Sequence, residues 1–116
     1  MRPTATPFLN GVPELLVLRL LREKEMYGYE LVQAIREHSG DAIAFAEGVI
    51  YPLLHALERD GALTTRRQAI GGRSRVYYAV TPAGADRLHL LTARWRQLNQ
   101  AIAAILEGPS DARYPA

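Results

Sequence analysis

The sequence predicts a mainly α-helical chain with a small β-hairpin, and three observations carry that prediction. Two helical periods lie close together between residues 28 and 61. After Gly61 the apolar period switches from helical to alternating, with Gly71-Gly72 in the middle of the alternating stretch. From Leu88 onward apolar residues return at helical spacing and continue to Ile105. Helical and strand periods differ because side chains repeat every 3.6 residues in one and every 2 in the other.

Residues 46–61 organise the rest. Ile50, Leu53, Leu54 and Leu57 fall at i, i+3, i+4 and i+7 and form one apolar stripe. Glu47, Gly48, Tyr51, His55, Glu58 and Arg59 lie on the other side. A buried stripe beneath a polar face with small and aromatic residues near its start suits a helix that reads DNA. Gly48 allows close backbone approach, and Tyr51 and His55 can reach a groove edge or a phosphate. An ordinary amphipathic surface helix has the same pattern, so the flanking segments decide between them. Gly61 supplies a C-terminal stop.

Residues 1–11 read as an arm. Pro13 suits the first helical turn and Glu14 the positive helix end. Leu15, Leu16, Val17, Leu18, Leu20 and Leu21 cover most of this helix's circumference, so it requires cover on more than one side, from its own chain or a second subunit. Residues 25–28 are a short break. A second helix follows from Gly28, with Gly28, Leu31, Val32 and Ile35 on one face, and Gly40 ends it. Residues 41–45 turn into the organising helix. Helix, short link and helix give helix-turn-helix spacing. Pro52 removes a backbone donor, so a local irregularity is expected there.

In the alternating stretch, Leu63, Thr65 and Arg67 alternate with Thr64, Arg66 and Gln68, and Val76, Tyr78 and Val80 with Arg75, Tyr77 and Ala79. This is a hairpin by pattern and turn chemistry. Between Asp60 and Asp86 there are four arginines (Arg66, Arg67, Arg73, Arg75) and no acid. A basic hairpin directly after a helix-turn-helix reads as a wing with phosphate as its partner. The plainer alternative is an edge hairpin protected by charge. The expected fold is thus a winged helix-turn-helix over residues 12–81 plus a long C-terminal dimerisation helix over 82–107, then a tail over 108–116.

Thr81-Pro82 opens that last helix as N-cap and first helical residue. Leu88, Leu91, Trp95, Leu98, Ile102 and Ile105 follow at steps of 3, 4, 3, 4 and 3, an a/d seam. At ~1.5 Å per residue the helix reaches on the order of 38 Å. A seam of that length calls for a partner helix, most simply from a second copy.

Composition excludes several classes. With no cysteine, disulfides and Cys-ligated zinc are excluded. No pair among His38, His55 and His89 stands at i, i+4, and Ser39, Ser74 and Ser110 lie in no nucleophile motif. Neither a metal, a cofactor nor an enzymatic activity is expected. Glu14 and Arg19 interrupt the apolar run of residues 12–21, which is too short for a membrane span. Residues 1–10 lack a signal-peptide pattern, so a cytoplasmic protein is expected. A net charge of +2 does not by itself announce nucleic acid; its concentration in the hairpin does.

The chain resembles the PadR family of bacterial transcriptional regulators, in its short form with one C-terminal helix. The resemblance covers about residues 9–106. Its carriers are Gly28-Tyr29-Glu30-Leu31, Gly48-Val49-Ile50-Tyr51-Pro52-Leu53-Leu54, Leu57-Glu58 with Gly61, Gly72-Arg73 with Tyr77-Tyr78, and Thr81-Pro82-Ala83-Gly84. It implies a homodimer that represses promoters and releases DNA when a small molecule binds, with Tyr51 and Tyr29 against the DNA. Two departures stand out: the family often has hydroxyl residues where this chain has Ala46 and Val49. The first removes an N-cap, at ~1 kcal/mol. The second removes a hydrogen bond, although Val49 can touch a thymine methyl.

The expected DNA contacts are therefore Tyr29, Glu47, Gly48, Val49, Tyr51, Pro52 and His55 on the helices and the four wing arginines. Glu47 either accepts from a cytosine amino group or complements the helix dipole. Two subunits are expected to present their reading helices roughly 34 Å apart and to prefer an imperfect palindrome. Leu88, Leu91, Trp95, Leu98, Ile102 and Ile105 are the expected dimer interface. Some short PadR-like proteins have a tryptophan lining a pore between subunits. Trp95 reads either as such a platform for a hydrophobic or aromatic inducer, with Leu15, Leu18, Leu91 and Leu98 around it, or as an interface anchor. The rival functions are a winged-helix module that binds protein without DNA and a small-molecule-binding protein.

Overall fold

The computed structural model describes residues 11–108. The expected arm, apart from Gly11, and the tail beyond Gly108 lie outside them. The element order is α1 (Val12–Glu23), β1 (Met26–Tyr27), α2 (Gly28–His38), α3 (Glu47–Arg59), β2 (Leu63–Ile70), β3 (Arg73–Val80) and α4 (Pro82–Leu106). The fold is mainly α, with a small antiparallel sheet in the strand order β1-β3-β2.

The core lies where α1, α2, α3 and the inner sheet face meet. Val17, Leu18, Leu31, Ile50, Leu54 and Leu57 are its most enclosed side chains. Each such Leu or Ile contributes about 1.5–3 kcal/mol by leaving water. The stripe expected on α3 is the buried one: Ile50, Leu54 and Leu57 are enclosed, and Leu53 packs at the margin. Most of the apolar surface of α1 is covered within the chain. Its Leu15, Val17, Leu18 and Leu21 are buried, and Leu16 and Leu20 pack against the same core.

Helices α2 and α3 end alike. After α3, the Gly61 N–H donates to the Glu58 carbonyl and the Ala62 N–H to the Leu57 carbonyl, at 3.0 and 2.9 Å. This double closure requires a left-handed residue, and Gly61 has φ +83°. The link between α2 and α3 is held by Ser39, whose hydroxyl accepts from the Ile43 N–H at 3.0 Å. Pro52 does not disturb α3, contrary to expectation: the helix is continuous from Glu47 to Arg59. Pro52 lies on its exposed side, as does Gly48, whose carbonyl would otherwise accept from residue 52.

In the hairpin, Ile70 pairs with Arg73, and Gly71-Gly72 close the turn with φ of +56° and +80°. Positive φ at both positions is the two-residue turn that matches strand twist. The sheet has one more strand than expected. The break at residues 25–28 contains β1, whose Met26 and Tyr27 pair with Tyr78 and Tyr77.

Helix α4 is capped as expected: the Gly84 N–H donates to the Thr81 hydroxyl at 3.0 Å, and that hydroxyl donates to the Gly61 carbonyl at 2.6 Å. Arg87 anchors it further, pairing with Glu14 of α1 and, at 3.6 Å, with Asp60 at the end of α3. Among the described residues no helix is long and apolar enough to cross a membrane.

The expected seam on α4 divides in two. Leu88 and Leu91 are buried in the chain's own core, and Leu98 packs against its margin. Trp95 and Ile102 are exposed by 38% and 44%, and Ile105 by 82%. Leu88 is thereby corrected as an interface residue: at 3% exposure it has almost no surface left for a partner. Leu18 is corrected as a ligand-lining residue for the same reason, being fully enclosed.

Candidate nucleic-acid interface

Helix α3 presents an exposed ridge opposite its buried stripe. Gly48, Pro52, His55 and Arg59 lie on it at steps of 4, 3 and 4, with Glu47 and Val49 exposed beside its start. Among the described residues, no atom beyond Gly48's own neighbourhood on the helix lies within 4 Å of the position a Cβ would take there. The ridge therefore begins at bare backbone. Ala46 precedes α3 in extended conformation with no side-chain cap, so a donor of the first turn is left for solvent or a ligand.

Tyr51 is placed differently from Gly48 and His55. Its ring lies against Gly28 at the start of α2: a Cβ built on Gly28 would stand 2.3 Å from the ring. Tyr51 is therefore half-buried between the two helices rather than projecting freely toward a groove. Burial raises its hydroxyl above the ordinary tyrosine range, and the charges of Glu47 and Tyr27 add to the effect. Tyr29, one residue after Gly28, is half exposed. Behind them Tyr78 is raised by burial and then by Glu58 and Tyr51, while Arg67 opposes the shift.

The wing arginines fall into distinct environments. Register pairs Arg66 with Tyr77 and Tyr77 with Tyr27, so these three form one row across the three strands. Directly paired residues share a sheet face, and faces alternate along a strand. Arg66, Arg73 and Arg75 thus share the outer face, and Arg67 lies on the other. Arg75 stacks on Tyr27 at 4.4 Å from the ring centre, and Arg66 on Tyr77 at 4.7 Å. The Tyr27 and Tyr77 rings meet edge to face, with centroids 5.5 Å apart.

The hairpin itself holds no acid, but Glu25, from outside it, meets one of its arginines. Both its carboxylate oxygens accept from Arg66 Nε at 2.9 Å, and Arg66 Nη2 also reaches it. The Arg66 guanidinium holds the Glu25 carboxyl below the ordinary glutamate range. The partner comes from 41 residues earlier in the chain. No local pattern could have revealed it, because the contact depends on β1 joining the sheet. Arg67 and Arg73 form no ion pair among the described residues.

Of the residues expected around a ligand, Leu15, Leu18 and Leu91 belong to the chain's own core cluster, and Leu98 packs against it. Leu15 and Leu91 are nearly as enclosed as Leu18, whereas Trp95 stands at the surface of α4. A cleft of about 520 Å³ opens elsewhere, between the end of α1 and the start of α4, lined by Leu21, Arg22, Glu25, Val80 and Pro82 among others. Among the described residues, no three His, Cys, Asp or Glu side chains gather as a metal site would require.

Residues 17–90 match the model of the transcriptional regulator PadR-like family. The chain belongs to the PadR-like family of transcriptional regulators. It is 32% identical to the transcriptional regulator Rv3488 of Mycobacterium tuberculosis over 89% of this chain and 91% of that protein. Among solved structures it is similar to a PadR family transcriptional regulator from Eggerthella lenta. The TM-score is 0.75 and the identity 30%, over 89% of this chain and 88% of that one. It is also similar to Bacillus subtilis PadR in complex with operator DNA, with a TM-score of 0.63 and 30% identity. That match covers 67% of this chain and 44% of the longer PadR chain. In this PadR-like chain the family match runs from within α1 to the first turns of α4, and α4 extends beyond it.

Proposed function

We propose that this PadR-like regulator binds operator DNA as a homodimer, reading the major groove with the exposed ridge of α3 and holding phosphates with the wing. The observation that carries this reading is the ridge itself: Gly48, Pro52, His55 and Arg59 form an exposed line on the second helix of a helix-turn-helix. A helix presented in this way fits the major groove. Glu47, Val49 and Tyr29 flank the ridge, and Tyr51 offers an edge of its ring. Arg67, Arg73 and Arg75 are the phosphate ligands proposed on the wing. The likeness to a PadR protein solved with operator DNA supports the same reading.

Dimerisation uses the outer half of α4, through Trp95, Leu98, Ile102 and Ile105, with Leu91 at its inner margin. Among the described residues, Ile102 and Ile105 are exposed by 44% and 82%, an apolar surface that suits a second copy. Two-fold pairing gives two reading helices and a preference for an imperfect palindrome. Release by a hydrophobic or aromatic inducer is the regulatory mode proposed, with Trp95 as its contact.

The test is fluorescence anisotropy of the purified protein with duplexes from upstream of its own gene, across a salt series. A specific duplex is expected to bind with log affinity falling linearly in log salt, and Arg73→Ala to reduce that slope by about one. Absence of salt-dependent binding to every upstream duplex refutes the proposal and favours a protein-interaction module.

A further inference from the structure

We propose that Glu25 and Arg66 form a brace that holds the wing against the edge strand, so that Arg66 positions the wing instead of binding a phosphate. Only the second measurement below rests on the DNA-binding reading.

The argument begins with the sheet order. β1 and β2 lie on opposite sides of β3. Strands two apart are separated by about 10 Å. Arg66 of β2 crosses that distance over the Tyr77 ring and meets Glu25, the residue just before β1. Its Nη1 also donates to Gln68 Oε1 at 2.6 Å. Gln68 is paired with Arg75, which stacks on Tyr27 of β1. Two links therefore run from the short edge strand to the hairpin, one through a carboxylate and one through an aromatic ring.

The outer hairpin has need of such links. β1 makes only two residue pairs with β3, at Tyr77 and Tyr78. Beyond Tyr77 the wing continues as two strands, and an isolated two-stranded hairpin is marginally stable in water. A bidentate arginine–carboxylate pair fixes direction as well as distance. Ordering the wing before it meets a ligand lowers the entropy lost on binding. The guanidinium donates to Glu25 through two of its nitrogens and to Gln68 through the third, which leaves it poorly disposed to a phosphate.

The alternative role for the same contact is competition, in which Glu25 masks Arg66 from DNA. The two differ in sign. Amide hydrogen exchange is measured on the free full-length protein, with Glu25→Gln, Arg66→Gln and the double variant, each checked for native circular dichroism. The brace predicts exchange at residues 67–75 at least about threefold faster in either single variant and no faster again in the double. Unchanged exchange in both single variants overturns it. The exchanged pair, Glu25→Arg with Arg66→Glu, is expected to restore protection.

DNA binding supplies the second measurement. Under the brace, Arg66→Gln and Glu25→Gln both weaken affinity and leave the salt slope as in the wild type. A slope reduced by about one in Arg66→Gln assigns it to a phosphate and overturns the proposal. Tighter binding with a steeper slope in Glu25→Gln overturns it in favour of competition. If the wild type binds no duplex, the DNA-binding reading fails, and hydrogen exchange still decides the brace.

Discussion

The Tyr51 ring lies over Gly28 so closely that no side chain can be added to the glycine without moving it. The contact sets how the first turn of α2 meets the middle of α3. Gly28→Ala forces a methyl to 2.3 Å from the ring and should destabilise the fold by about 1–3 kcal/mol. Denaturant unfolding measures this. Removing the ring with Tyr51→Ala should absorb most of the Gly28→Ala penalty in a double-mutant cycle. Simple additivity would mean that the two residues do not constrain one another.

Two other helical glycines should respond in opposite directions. A Cβ on Gly84 would lie 2.1 Å from the Ala62 carbonyl oxygen, a backbone atom that cannot rotate away. Gly84→Ala should cost roughly 1–3 kcal/mol or more, despite alanine's better helix propensity. Gly48 faces open space within 4 Å. Gly48→Ala should therefore stabilise the free protein by about 0.4–1 kcal/mol. It should also weaken DNA binding by about tenfold, the factor that ~1.4 kcal/mol of lost contact produces. A more stable protein with undiminished affinity would remove Gly48 from the interface.

The two halves of α4 should separate folding from assembly. Leu88 is buried in the chain's own core, so Leu88→Ala should cost about 2–5 kcal/mol in stability. Ile102 and Ile105 are exposed, so Ile102→Glu with Ile105→Glu should leave the fold intact and yield a monomer. Sedimentation velocity distinguishes the species. A dimer that survives both changes would assign self-association to another surface.

Tyr51 and Tyr78 should ionise later than a tyrosine side chain free in water. Burial raises both hydroxyls above their ordinary range, which means the fold favours their protonated forms. That contribution to stability is present below the unfolded-state tyrosine range and is lost as pH rises through the folded values. Near-ultraviolet tyrosinate absorbance should show a late alkaline phase that shrinks in Tyr51→Phe. An identical titration in that variant would contradict the packing of its hydroxyl.

Much of this architecture was legible in the order of residues. The α3 stripe of Ile50, Leu54 and Leu57, the Gly61 stop, the Gly71-Gly72 turn and the Thr81-Pro82 cap are written in periods and end signals. Such signals act over a few residues, through backbone sterics and local hydrogen bonds, and so survive reading one segment at a time. The exposed part of the candidate site belongs here too, because Gly48 and His55 follow from the stripe that opposes them.

What the tertiary structure alone decided concerns partners distant in the chain. Met26-Tyr27 is too short to signal a strand, and becomes one only because Tyr77 and Tyr78 offer a free edge beside it. That pairing brings Glu25 to Arg66 and gives one arginine of the hairpin a carboxylate partner. Packing of α4 on α1 likewise divides one uninterrupted a/d seam into a covered half and an open half. Spacing specifies which side chains share a face of a helix or strand. Which other element meets that face, and how far along it, is set by burial and charge pairing across the whole chain.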